Sequence, residues 1–156
     1  MKQLLVIAAF SALGLVSACG FRPVYATPSG GAIAVDTIPG RSGHALRKAL
    51  LRDLAAGLPG VMEGATLNVR LNEQLAQLAF TSDGAAARSS LRARATYVLS
   101  YDGTAVSGAT NTEATFNVPG AAYGDISAQL AASDRAMENL SQNIVDNLRM
   151  KLASTE

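Results

Sequence analysis

The sequence predicts an α+β domain. We expect a two-layer sandwich in which about four mixed or antiparallel strands carry two helices on one face, in the order β-α-β-β-β-α. Apolar residues recur every three or four positions near residues 42–57 and 125–152, which indicates two amphipathic helices. Between them, segments that alternate apolar and polar residues indicate half-buried strands. Placing both helices on one sheet face is the economical way to bury their apolar sides.

The N-terminus has the pattern of a secretion signal. Lys2 supplies a positive charge, and residues 4–16 are almost wholly apolar. Rising about 1.5 Å per residue, this run is too short to cross a hydrocarbon core of about 30 Å. It is long enough for the apolar region of a signal peptide.

A short motif follows the apolar run and resembles the lipobox of bacterial lipoproteins. It consists of Val16, Ser17, Ala18 and Cys19. Cleavage is expected between Ala18 and Cys19, with lipid attached to the Cys19 sulfur. The alternative is an ordinary signal peptide followed by a buried or disulfide-bonded thiol. Cys19 is the only cysteine, so no intramolecular disulfide can form.

These features divide the chain into three expected parts. Residues 1–18 form the signal peptide, residues 19–31 the acylated cysteine and its tether, and residues 32–156 a single α/β domain. Without Lys2 the mature part carries 12 basic and 12 acidic residues. That balance argues against nucleic acid as a partner. One histidine, one cysteine and no recognisable catalytic spacing predict no enzyme activity, no metal and no cofactor.

The first strand and helix are predicted near the start of the domain. Residues 32–38 read as a short strand that Pro39 ends. Ser42 is the expected N-cap of the helix. The helix should end at Ala56 or Gly57, because Pro59 disfavours helix in the residue before it. The predicted apolar stripe consists of Leu46, Leu50, Leu54 and Leu58, widened by Ala45, Ala49 and Leu51.

Three strands and a long helix complete the prediction. The first strand covers 67–71 and continues to Phe80; residues 81–84 form a turn and 85–90 a loop. The buried face of the next strand comprises Leu91, Ala93, Ala95, Tyr97, Leu99 and Tyr101. Asp102-Gly103 is a two-residue hairpin signal, and the third strand runs from Thr104 to about Val118. The helix runs from Asp125 or Ser127 to Leu152. Its predicted stripe is Leu130, Met137, Leu140, Ile144, Leu148 and Leu152, flanked by Ala136 and Val145.

The segment Cys19-Gly20-Phe21-Arg22-Pro23-Val24-Tyr25, next to the lipobox and followed by this order of elements, resembles the LptE family of lipopolysaccharide-assembly lipoproteins. Tyr123, in a polar stretch before a long helix carrying Asp134-Arg135-Ala136, agrees with that resemblance. Gly20 after the cysteine, where an aspartate would favour the inner membrane, points to the outer membrane.

The resemblance implies a non-enzymatic function. It implies a lipid-anchored subunit of the lipopolysaccharide translocon that plugs the LptD β-barrel, helps the barrel assemble and binds lipopolysaccharide. The alternative is an envelope lipid-binding or structural lipoprotein that works without a barrel. A lipid-anchored hydrolase would need a nucleophile and a base, for which the sequence offers no pattern.

Arginines on one strand face are the predicted ligand residues. Arg92 and Arg94 are two positions apart, so their side chains project from the same face. Arg70 extends the set from a neighbouring strand if the register allows. Arg88 lies in the predicted loop just before the strand that carries Arg92 and Arg94. Guanidinium groups pair with phosphates, which lipid A carries. These arginines are therefore predicted to bind lipopolysaccharide, and the alternative is a solvated or barrel-facing surface with no ligand.

Overall fold

The computed structural model describes residues 32–62, 64–120 and 122–154. The signal peptide, the lipobox with Cys19 and the tether lie outside the described residues. The elements are β1 (Ala34–Val35), α1 (Arg41–Asp53), β2 (Thr66–Phe80), β3 (Ala86–Tyr101), β4 (Thr104–Asn117) and α2 (Ala122–Ala153). The predicted order β-α-β-β-β-α and the α+β class are confirmed. No helix in the described ranges combines the length and apolar character needed to cross a membrane.

The sheet is mixed, and its strands lie in the order β1-β2-β3-β4. β1 pairs with the start of β2 in parallel, and the other two pairs are antiparallel. Because β1 and β2 are parallel, the chain must cross over between them, and α1 forms that crossover. α1 then packs beside α2 on the same face of the sheet.

The core lies between the helices and the sheet face that carries the odd-numbered residues of β3. Leu91, Ala93, Ala95, Tyr97 and Leu99 are buried, whereas the residues between them are exposed. The helices contribute Leu46, Leu50, Met137, Leu140, Ile144 and Leu148, which are fully buried. The alternation of β3 and the helical stripes therefore face each other as the sequence predicts.

Three details of the first strand and the first helix differ from prediction. β1 is only Ala34–Val35, because the chain leaves the sheet after Asp36 donates its N–H to Leu67. Gly40, not Ser42, is the N-cap, and the Ser42 hydroxyl instead bonds Ser133 of α2 at 3.0 Å. The helix ends at Asp53 rather than at residue 56 or 57, and the chain continues as a turn.

The predicted loop at 85–90 is wrong over most of its length. Residues 86–90 belong to β3, and residues 88–90 pair on both sides, with Ser90 between Ala76 and Thr115. Two register shifts near Gln77 and Ala79 locally disturb the pairing with β2. Alanines and serines also give little apolar contrast, so the ladder forms here without an alternating sequence signal.

Two leucines predicted for the apolar stripes are exposed rather than buried. Leu130 is 38% exposed and Leu51 is 40% exposed. α2 begins at Ala122, earlier than predicted, and the Ser42–Ser133 contact marks where α1 begins to cover it. Leu130 lies beyond that point, so the apolar stripe of α2 extends past its covering helix.

The Asp102-Gly103 hairpin is confirmed. Both residues have positive φ, 45° and 73°, as a two-residue turn of this kind requires. The turn fixes Tyr101 opposite Thr104 and so places Tyr97 opposite Gly108. A Cβ at Gly108 would lie 2.3 Å from the Tyr97 hydroxyl. The buried Tyr97 ring therefore requires a glycine at this position.

Polar contacts join the two helices. Ser141, which is fully buried, donates a hydrogen bond to the Asp53 carboxylate at 2.7 Å, and Arg52 donates another at 2.9 Å. Burial alone raises the pKa of Asp53, but these hydrogen bonds outweigh it and hold the pKa below its ordinary value. The carboxylate therefore stabilises the fold in its charged form.

Gly108→Ala should destabilise the domain by about 1–3 kcal/mol, because the new methyl group overlaps the Tyr97 hydroxyl. Denaturant unfolding measures the change. Tyr97→Phe in the same chain should restore part of the loss, and Ala109→Val on the exposed face serves as the control. An unchanged free energy of unfolding for Gly108→Ala contradicts the packing.

Asp53→Asn should lower the free energy of unfolding at pH 7 by about 1 kcal/mol, because an amide accepts more weakly from Ser141 and Arg52. A lowered pKa in the folded state contributes stability above the unfolded pKa, and that contribution is lost as pH falls through the folded value. The difference between the variant and the wild type should therefore shrink below about pH 4. A difference that is constant from pH 7 to pH 3 contradicts the assignment.

Candidate functional site

The sheet face opposite the helices carries the predicted ligand residues. Four arginines on this face, here called the arginine face, are exposed: Arg70, Arg88, Arg92 and Arg94. Among the described residues of the three long strands, the one carboxylate with the same outward orientation is Glu113. The face is thus positively charged although the whole chain is nearly neutral.

The strand register brings three of these arginines together. Arg94 lies opposite Asn72 on β2, and Arg70 lies opposite Thr96. Arg70 and Arg94 are therefore diagonal neighbours, with Cα atoms about 7–8 Å apart in a regular sheet. Arg92 follows on the same side of β3. A phosphorylated ligand could be held between two or three guanidinium groups.

The arginines differ in their partners. Arg92 donates to Glu113 at 3.2 Å. The nearby Ser90 hydroxyl and then the hydrogen bond from Arg92 hold the pKa of Glu113 below its ordinary value. Arg70 and Arg94 have no carboxylate within ion-pair distance in the described part of the chain. They are therefore better placed than Arg92 to bind an external anion.

Arg88 lies in β3 rather than in the predicted loop. Its guanidinium is 3.4 Å from the hydroxyl of Thr115 on the neighbouring strand β4. It also lines an open groove that continues to Arg135 on α2. Arg88 is thus at the margin of the arginine face, and only Arg70, Arg92 and Arg94 form a compact group.

Two shallow depressions lie on this face. The first contains Arg92, Arg94 and Glu113 together with Asn72, Gln74 and Asn111. The second is lined by Asn68, Arg70, Thr96, Val98, Ser107 and Gly108. Amide and hydroxyl groups next to guanidinium groups can bind sugar hydroxyls and phosphates together. The arrangement is suited to binding a phosphorylated sugar.

The remaining side chains of the described residues form no comparable site. His44 lies beside Arg41 and Lys48 in an open groove between the helices, whose other side carries Asp134 and Glu138. Within residues 32–62, 64–120 and 122–154, no group of three His, Cys, Asp or Glu side chains is placed to hold a metal.

The sequence interpretation missed Glu113 and Arg135. The signal for Glu113 was present, because counting outward from the Asp102-Gly103 turn places Arg92 opposite Glu113. Arg135 carried no such signal, since its proximity to Arg88 depends on how α2 lies across β4.

Comparison with known proteins identifies relatives of the chain. A family model described as LptE, lipopolysaccharide assembly, matches residues 30–148. The crystal structure of a candidate lipoprotein from Caulobacter crescentus is 27% identical, with a TM-score of 0.62, and the match covers 80% of this chain and 93% of that one. The rare lipoprotein B of Shewanella oneidensis is 10% identical, with a TM-score of 0.61 and coverage of 81% and 98%, and it shares the fold. None of the curated proteins compared matches.

Proposed function

The chain belongs to the LptE family of lipopolysaccharide-assembly lipoproteins, and from this we propose that it is the lipid-anchored, non-enzymatic subunit that plugs the LptD β-barrel, assists its assembly and binds lipopolysaccharide. The observation that carries the proposal is the family match over residues 30–148, which spans nearly all the described elements.

The N-terminal sequence supports the anchor and its location. Signal peptidase would cut between Ala18 and Cys19, and acyl chains on Cys19 would hold the protein in the outer membrane. Each buried methylene contributes about 0.8 kcal/mol, so a multiply acylated cysteine is a stable tether. Residues 19–31 would then serve as a tether between the anchor and the domain.

The surface composition is compatible with a plug in a polar barrel lumen. Exposed positions on the outer face of β4 carry small polar or small apolar side chains and one charge: Ala105, Ser107, Ala109, Asn111, Glu113, Thr115 and Asn117. Side chains of this kind can approach a barrel wall closely and still bond water or polar groups. The outer face of the sheet is thus available for both the barrel and the ligand.

The arginine face is the proposed contact with lipopolysaccharide. Arg70 and Arg94 would bind phosphate groups directly, with Arg92 adding charge and Arg88 at the margin. The neighbouring Asn72, the Thr96 hydroxyl and other polar side chains would bond sugar hydroxyls.

The test of the proposed function is affinity purification of the lipidated chain from detergent-solubilised outer membrane. One large β-barrel protein should be recovered at equal stoichiometry. Recovery of the lipoprotein without a barrel would contradict the plug function and would favour an envelope lipid-binding protein that acts alone.

Changing both Arg70 and Arg94 to alanine should weaken lipopolysaccharide binding at least about tenfold, since each guanidinium–phosphate contact is charge-assisted. Isothermal titration calorimetry or surface plasmon resonance with the purified protein measures the affinity. A double variant with Arg41→Ala and Arg149→Ala removes the same charge from the helix layer and should bind like the wild type.

A change at Glu113 should shift the affinity for lipopolysaccharide in the opposite direction. Glu113→Gln removes the carboxylate that occupies Arg92 and should tighten lipopolysaccharide binding. Equal affinities for the wild type, the Arg70/Arg94 variant and Glu113→Gln would exclude the arginine face as the binding surface.

Cys19→Ala should abolish lipid attachment, because no other thiol is available. Mass spectrometry of the protein from membrane fractions should find no acylated form, while Ser29→Ala in the tether should be acylated normally. Lipid on the Cys19→Ala protein would refute the anchor assignment.

A further inference from the structure

β4 is an edge strand with an open hydrogen-bonding side. It is the last strand of the sheet and pairs only with β3 among the described strands. Because the two-residue turn makes Tyr101 and Thr104 a hydrogen-bonded pair, every second residue from Thr104 bonds β3. Val118, in phase with this set, donates to Ala87 at 3.0 Å. The odd-numbered residues of β4 therefore direct their backbone N–H and C=O groups outward.

The two halves of this edge differ. Lys151 of α2 donates to the outward carbonyl of Ser107 and so covers the half nearer the Asp102-Gly103 turn. From Ala109 to Asn117, contacts of Lys151 apart, the outward backbone groups accept and donate no hydrogen bond within the described part of the chain. Long open edges usually carry charges, proline or bulges that prevent pairing. This half has one charge, Glu113, and no proline.

A groove runs beside the open half. Phe116, half-buried, and the small side chains of Ala128 and Ala131 line an open space of about 390 Å³ between β4 and α2. Arg88 and Arg135 lie at its rim, and neither has a carboxylate within 4 Å in the described part of the chain. A strand added to β4 could place an acidic side chain between these two guanidinium groups.

We propose that the half of β4 from Ala109 to Asn117 accepts an extended, carboxylate-bearing segment of the barrel partner as an added strand of the sheet. The inference rests on the proposed function for the existence of that partner. Backbone hydrogen bonds to the open edge supply affinity, and the Arg88–Arg135 rim supplies selectivity for an acidic segment. A second copy of the chain is a poorer candidate for the added strand, because the carboxylate of its own Glu113 already accepts a hydrogen bond from Arg92.

Hydrogen exchange with single-residue resolution tests the added strand, using the lipidated full chain alone and in its purified complex with the barrel. In the chain alone, the amides of Ala109, Asn111, Glu113 and Thr115 should exchange quickly. The amides of Thr110, Thr112 and Ala114, which bond β3, should exchange slowly. In the complex the first set should become at least about tenfold more protected. Protection that appears in the chain alone as its concentration rises would indicate a second copy and overturn the proposal.

Two variants provide an independent readout in the barrel pull-down. Asn111→Pro removes an outward N–H without removing a bond to β3, so it should reduce barrel recovery at least about tenfold, while Asn111→Ala should not. Arg135→Glu should reduce recovery similarly, while Arg41→Glu should not. If Asn111→Pro fails to fold by circular dichroism, the Arg135→Glu result decides.

The outcomes separate this inference from the proposed function. Full barrel recovery by Asn111→Pro and Arg135→Glu, with unprotected edge amides, overturns the added strand and leaves the barrel partnership intact. Failure of the wild-type chain to recover a barrel overturns the proposed function and, with it, the added strand. The added strand would also be overturned if residues at the Arg135 rim cross-linked to lipopolysaccharide instead of to protein.

Discussion

The strict alternation of side chains along β3 is the constraint on which the rest of the structure depends. β3 pairs on both sides, so each of its residues must point either to the helices or to the outer face. The odd-numbered set buries Leu91, Tyr97 and Leu99, and each fully buried side chain of this size contributes about 1.5–3 kcal/mol. The even-numbered set carries Arg92 and Arg94. A slip of one residue would bury both arginines, which is why the fold also fixes the position of the candidate site.

Much of this arrangement could be predicted, because burial leaves a periodic signal. The stripe of α2 and the alternation of β3 identify the two apolar faces, and Asp102-Gly103 sets the β3–β4 register. Residues whose environment depends on a distant element could not be predicted. Ser42 matches an N-cap in sequence but bonds Ser133 of the other helix. Leu130 has the periodicity of a core residue but lies before the start of α1, where α1 does not cover it.

The candidate site was predictable to the same extent. The alternation of side chains along a strand places Arg92 and Arg94 on one face. The β2–β3 register was needed to bring Arg70 beside them. The difference between Arg94 and Arg92 depends on Glu113, a partner one strand away. The groove at Arg88 and Arg135 was beyond sequence reasoning, because it is formed by the angle at which a helix crosses an edge strand.

The topology also separates the proposed functions in space. β1 enters beside the start of β2, so the chain from the proposed anchor arrives at that end of the sheet. The groove beside Asn117 lies at the other end, roughly 45–50 Å away along a strand of 15 residues at about 3.3 Å per residue. The arginine face lies between them. An anchored domain could therefore hold lipopolysaccharide at its middle while its far end contacts the barrel.

The central claim is that the sheet face opposite the helices binds lipopolysaccharide. Photo-cross-linking in intact cells tests it most directly, with a photoreactive residue replacing Thr96 on that face or Lys48 on α1. Both positions are exposed, and neither is in the core. The account predicts a lipopolysaccharide adduct from position 96 and little or none from position 48. Equal adducts from both positions, or an adduct from position 48 alone, would contradict it.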